Sequence, residues 1–167
     1  MSGIIIMGSS RGDGDTAKAV NELARITQYE VLNLNELNFS DYDYESNNSG
    51  DDFLPTIRRV VADYDHIIWA TPVYWYSMSA LMKRFIDRIS DCLRIEKATG
   101  RQFRGMSMSL LSVSNDVRNP HFATPFELTA EYLGMSYLGD QHVVVDGNKA
   151  RSIKEQLRNW PGIFQIE

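Results

Sequence analysis

The stretch Gly8-Ser9-Ser10-Arg11-Gly12-Asp13-Gly14-Asp15-Thr16 decides how this chain is read. It follows the apolar run Ile4-Ile5-Ile6-Met7 and opens onto a segment where Ala17, Val20, Leu23 and Ala24 recur at helical spacing. A buried strand, a turn rich in Gly and Ser, and then a helix gather several unpaired backbone N–H groups and the positive end of a helix dipole at one point. Such a point attracts phosphate.

The residue types in the turn suit an anion. Gly8, Gly12 and Gly14 let the backbone turn sharply and approach a ligand, Ser9, Ser10 and Thr16 carry hydroxyl donors, and Arg11 supplies a fixed positive charge. Asp13 and Asp15 would repel a phosphate dianion, so either one or both turn outward, or Asp15 caps the helix. The same residues also fit an ordinary strand-to-helix turn capped by Ser and Asp. A Walker A loop is excluded, because no Gly-Lys-Ser/Thr follows the turn. A dinucleotide fingerprint is out of place: three residues separate Gly8 from Gly12, and Asn33 or Asn35 stands where a ribose-binding acid is expected.

Working outward, 167 residues with 43% hydrophobic content fit one globular domain with a sizeable core, residues 1–167. A formal charge of −5 argues against nucleic-acid binding, whose footprint is a basic stripe. The single cysteine, Cys92, excludes an intrachain disulfide framework and a Cys cluster for metal; its spacing from Ile89 and Leu93 reads as core. No basic n-region precedes an apolar core, and no apolar run nears the roughly 20 residues of a membrane span. A cytoplasmic protein without membrane contact is expected.

Beyond the first helix, Tyr29 to Leu34 reads as a second strand, and the polar residues to Gly50 read as a long loop. That loop is either a flap over a site or solvated surface, with Tyr42 and Tyr44 able to cover an aromatic ligand. A helix from about Asp51 follows, then a strand from Asp65 to Ala70 apolar enough to be covered on both faces. It ends in Thr71-Pro72-Val73-Tyr74-Trp75-Tyr76-Ser77, placing aromatics at a strand's carboxyl end, where ligands of open α/β sheets bind. Three consecutive aromatics cannot all face the interior. A helix through Leu81, Phe85, Ile86 and Ile89, a linker from Lys97 to Gly105, a strand from Met106 to Val113, a helix from Phe122 to Leu133, a strand within Met135 to Val145 and a helix from Lys149 to Trp160 complete the pattern. His66, at the entry of its strand, reads as structural; His121 and His142 could in principle relay protons, but with no partner visible the structural reading is the stronger. Five strands alternating with five helices specify an α/β fold with a parallel sheet covered on both faces.

The turn Gly8–Thr16, the pair Asp51-Asp52 and the run ATPVYWYSMSALMKRFIDR from Ala70 to Arg88 together resemble the NADPH-dependent FMN reductase and iron–sulfur flavoprotein branch of the flavodoxin-like family. The resemblance implies a flavodoxin-like three-layer sandwich of strand order 2-1-3-4-5, with FMN at the switch point. It assigns Ser9, Arg11, Asp15 and Thr16 to the FMN phosphate, with backbone from Ser10 and Gly14. Pro72, Val73, Tyr74 and Trp75 fall to the flavin ring with Ser77 nearby, and Ser114 and Asn115 to its edge. Backbone N–H groups of Pro72 to Trp75 are expected to stabilise charge developing on the reduced ring. Asp15 stands where relatives tend to have Asn, and Phe39 to Asn48 lacks the cysteines of the iron–sulfur members, so no metal cluster is expected. The implied activity is hydride transfer from NAD(P)H through FMN to a quinone, a flavin or a similar small acceptor, with no side chain needed as a catalytic acid or nucleophile. The rivals are a flavodoxin-like electron carrier without NAD(P)H turnover and a non-redox phosphate-binding module. A homodimer or homotetramer is implied by the resemblance alone.

Overall fold

A computed structural model describes residues 2–146, 152–158 and 160. Its five strands are β1 (Gly3–Met7), β2 (Glu30–Asn33), β3 (His66–Pro72), β4 (Ser107–Ser114) and β5 (Ser136–Val144). All pair in parallel in the order β2-β1-β3-β4-β5. The helices are α1 (Asp15–Thr27), α2 (Phe53–Asp63), α3 (Ala80–Arg94), α4 (Lys97–Arg101), α5 (Thr124–Leu133) and α6 (Ile153–Arg158). The short α4 occupies what the sequence presents as a linker; Gly100 lets it lie against α3, where an added Cβ would stand 2.3 Å from the Cys92 carbonyl oxygen. Of the expected last helix, Lys149 to Arg151 and Asn159 lie outside the described residues.

Period-2 alternation sorts the central strands between two cores. Ile4, Ile6, Ile67, Trp69, Met108 and Leu110 pack beneath α2, α3 and α5, whereas Ile5, Met7, Ile68, Ala70, Leu111 and Val113 pack beneath α1 and α6. The chain leaving β1 therefore crosses one face and the chain leaving β3 the other. Their carboxyl ends separate there, which is the switch point at which such sheets bind ligands.

Pro72 closes β3 rather than opening a turn. The neighbouring Val73 N–H bonds the Val113 carbonyl at 3.0 Å, so the proline's missing N–H faces the β1 side, beyond the last β1 pair, Met7 with Ala70.

At the opposite sheet edge His66 is wholly buried, its ring nitrogens 3.3 Å from the Tyr29 hydroxyl and 3.0 Å from Ser109 Oγ. Burial pushes its pKa down to about 4. The unfolded chain, with His near 6.5, takes up a proton that the native state refuses, so the neutral ring's contribution is complete above pH 6.5 and is lost as pH falls towards 4. The expected cost over that window is about 3 kcal/mol. Urea midpoints at pH 7 and 4.5 check it, and His66→Gln should flatten the difference.

The long polar segment after β2 is mostly solvent-exposed, in keeping with the solvated-surface reading, and it is tied to α3. Arg88 of α3, fully buried, reaches both oxygens of Asp51, the Ser40 carbonyl, and Asp91 at 2.8 Å, and lies 4.9 Å over the Phe53 ring. Asp52 accepts from the Asn38 N–H at 2.7 Å, and Asp51 accepts from Ser40 and Phe53. Tyr42 and Tyr44 stack against Arg94, the last residue of α3. Along α3 they also line a groove with Ala80, Lys83, Arg84 and Asp87, and neither tyrosine borders the space between the ends of β1 and β3.

Candidate functional site

A cleft of about 450 Å³ opens at the switch point, lined by Ser9, Ser10, Arg11, Gly14, Asp15 and Thr16 on one side and by Pro72, Val73, Tyr74, Val113, Ser114 and Asn115 on the other. Such a volume suits a small cofactor. Three strand ends converge here because β3 lies between β1 and β4 in the sheet.

The anion side is built around the start of α1. Gly14 is its N-cap and has no side chain to offer, so the first-turn N–H groups have no side-chain cap and open onto the cleft. Ser9 and Thr16 are buried against the turn, and Arg11 is exposed at its rim. Asp15 does not cap the helix: its carboxylate, half exposed, pairs with Lys18 at 2.8 Å. None of the three loop glycines adopts positive φ. Gly8 is required for close approach instead, since a Cβ there would lie 2.8 Å from Met82 Cβ in the first turn of α3. Ser79, the α3 N-cap, accepts from the Met82 N–H at 3.0 Å and donates to the Gly8 carbonyl, tying this helix to the Gly8–Thr16 turn. Asn35, read from the sequence only as a missing ribose ligand, donates to the Ser9 carbonyl and supports the turn from behind.

The other side is a tight turn. Tyr74 and Ser77 exchange both backbone bonds, at 2.9 and 3.1 Å, and the central Trp75 and Tyr76 have φ of 48° and 66°. This is the type I′ pattern, which strongly prefers Asn-Gly at its centre. Two aromatics held left-handed store strain, a recurrent feature of functional loops. Trp75 is 93% exposed and stands outside the cleft, as does Ser77; Tyr74 lines it and bonds Ser10 Oγ across the mouth at 3.0 Å. The expectation that Pro72 to Trp75 present backbone donors is corrected. Pro72 has no N–H, Val73 donates to Val113 and Tyr74 to Ser77, which leaves Trp75 alone outside these bonds. Because the indole buries little, the double change Trp75→Asn, Tyr76→Gly is expected to raise stability by about 1 kcal/mol through relief of the left-handed backbone, read as a higher urea midpoint.

Cys92 is no nucleophile: it is buried in the core, and burial, with Asp91 beside it, pushes its thiol up to about 12. Among the described residues no group of three or more His, Cys, Asp or Glu is placed to hold a metal, and no helix is long and apolar enough to cross a membrane.

This architecture defines a flavodoxin-like protein with a glycine- and serine-rich turn and a second loop meeting at the switch point. The model of the NADPH-dependent FMN reductase family matches residues 1–150, and the chain belongs to that family of flavin-dependent oxidoreductases. It is 31% identical over 108 residues to Bacillus subtilis YwqN, named as an NAD(P)H-dependent FMN-containing oxidoreductase, covering 62% of this chain and 58% of the relative. The chain thus spans little more than half the length of that curated relative. Among solved structures it resembles the Trp repressor binding protein of Bacillus subtilis (TM-score 0.74, 23% identity, 99% of both chains). It also resembles general stress protein 14 of Treponema denticola, solved in complex with FMN (TM-score 0.68, 16% identity, 96% of this chain and 95% of that one).

Proposed function

We propose that the chain, as a single domain over residues 1–167, is an NAD(P)H-dependent oxidoreductase that holds FMN in this cleft and reduces a small acceptor such as a quinone or a free flavin. The observation that supports it most is the meeting of an uncapped helix start, ringed by Ser9, Ser10, Arg11 and Thr16, with the Pro72–Tyr74 and Ser114–Asn115 loops across one cleft. When bound, FMN would supply the hydride-transfer chemistry between NAD(P)H and the acceptor.

The chain's own residues bind and orient. The α1 N–H groups, the hydroxyls and Arg11 are donors that fit a phosphate dianion, with Asp13 and Asp15 as the carboxylates nearby and the Tyr74 hydroxyl already bonded to Ser10. Pro72, Val73 and Val113 offer an apolar wall beside them for a flat ring. No side chain is asked to act as acid or base.

The visible spectrum of the purified protein tests the proposal: flavin bands that bleach under anaerobic NADPH or NADH and return on addition of a quinone support it, and protein that binds no added FMN overturns it. Comparing quinone with free FMN as acceptor identifies the substrate class. A homodimer or homotetramer is proposed from family membership, to be checked by light scattering. Asp15→Asn removes a carboxylate from the phosphate side, and about fivefold tighter FMN binding is expected, with riboflavin unchanged, by flavin fluorescence quenching.

A further inference from the structure

Strand β5 carries a bulge. Met108 pairs with Tyr137, but Leu110 pairs with Asp140, so two β5 residues oppose one of β4, and Gly139 sits there at φ +100°. Beyond the bulge the alternation of β5 is inverted. Without the extra residue Gln141 would oppose Ser112; with it His142 does, and Asp140 and His142 share a face with Ser112 and Ser114. Open space surrounds Gly139, so the glycine serves the backbone angle and not a close contact.

The bulge thereby assembles a directed chain of hydrogen bonds behind the cleft. Arg118, paired with Asp140, donates to Ser112 Oγ at 3.1 Å. Ser112 Oγ lies 2.9 Å from His142 Nδ1, and His142 Nε2 lies 2.9 Å from the Asp116 carbonyl oxygen and 3.1 Å from Ser114 Oγ. A carbonyl only accepts, so Nε2 carries the proton; Nδ1 is then the acceptor for the Ser112 hydroxyl. Ser114 Oγ in turn donates to the Asp116 carbonyl at 2.6 Å and accepts from the Asp116 N–H at 3.2 Å. A charged ring would set a second N–H against Ser112 and a cation beside Arg118. Burial, with Arg118 adding to it, holds the His142 pKa below its ordinary value against the opposing pull of the Asp116 carbonyl bond.

We propose that His142, as the neutral Nε2–H imidazole, is a positioning residue for residues 114–118, the loop that would border the flavin ring, and that the Gly139 bulge serves to aim it there. The inference rests on the reading of the cleft as a flavin site. It explains why the Ser114 hydroxyl, though at the cleft, is committed to its own loop: Ser114 and His142 hold the backbone that Asn115 presents.

Two readouts test this, one of them independent of flavin. In FMN-free protein, amide hydrogen exchange over residues 114–118 is expected to quicken about tenfold in His142→Leu, the loss of one buried hydrogen bond, while the core strands are unchanged. His142→Gln, which restores an N–H donor, should return to within about threefold of wild type. By fluorescence quenching, His142→Leu should weaken FMN and riboflavin by the same factor, because the ring side and not the phosphate side is disturbed. Should His142→Leu fail to fold, Ser112→Ala removes the hydroxyl that bonds Nδ1 and accepts from Arg118, and is expected to give the same pattern at smaller amplitude. Unchanged exchange in the variants overturns the positioning role. Faster exchange with unchanged flavin affinity overturns its bearing on the cofactor. Wild-type protein that binds neither flavin overturns the reading of the cleft and the flavin half of the inference, while the exchange result still decides whether His142 holds the loop.

Discussion

Arg88→Ala is expected to destabilise the protein by about 3–5 kcal/mol, a large part of the stability of an ordinary domain. Removing this guanidinium leaves Asp51 and Asp91 facing one another's charge with little water: the Asp91 side chain is 1% exposed and that of Asp51 14%. Burial alone would raise the Asp51 carboxyl, but the Arg88 bonds and the Ser40 and Phe53 amides hold it below the usual range. Those bonds also anchor Ser40 and Asp51 to α3, so the loss should spread along the segment 38–52. Urea unfolding measures the cost, and proteolysis within that segment reports its release. Arg88→Leu combined with Asp51→Asn and Asp91→Asn should recover much of the loss, because a triad replaced as a unit leaves no buried charge uncompensated. Equal stabilities of wild type and Arg88→Ala would show that the ion cluster carries none of this energy.

Arg11→Ala is expected to weaken FMN binding by on the order of 10- to 100-fold, the range of one charge-assisted hydrogen bond. Arg11 is exposed at the rim of the phosphate side, so its removal should leave stability within about 0.5 kcal/mol of wild type. Riboflavin, which lacks the phosphate, should bind both proteins equally, and the salt dependence of FMN binding should shrink in the variant. Parallel fluorescence titrations of the two flavins separate this outcome from general damage to the cleft. A matching loss for riboflavin would move Arg11 from the phosphate to the ring.

The local patterns were sufficient where the cause is local. An apolar run, a glycine-rich turn and a helical repeat fix a strand, a turn and a helix within some twenty residues of each other, and their alternation specifies a parallel sheet and brings the loops after β1, β3 and β4 to one edge. Most of the candidate cleft was legible for that reason. The fate of particular side chains was not. Arg88 stands among charged positions of its helix and looks solvated, and only a loop 37 residues earlier, folding back with Asp51, makes it the centre of a buried cluster. Trp75 belongs to the right turn, yet the left-handed backbone of that turn sends it to solvent.

His142 shows the division most sharply. Sequence spacing assigns a strand residue to a face only while the alternation is unbroken, and the extra residue at the Gly139 bulge reverses that assignment for the rest of β5. The amino-acid sequence by itself determined the layered fold, the glycine-rich turn after β1 and the edge at which a ligand would sit, because each follows from neighbours in the chain. Which side chains serve that edge, and which are spent holding its loops, was decided only by tertiary structure, since strand register and the closure of long loops bring together groups that the sequence keeps far apart.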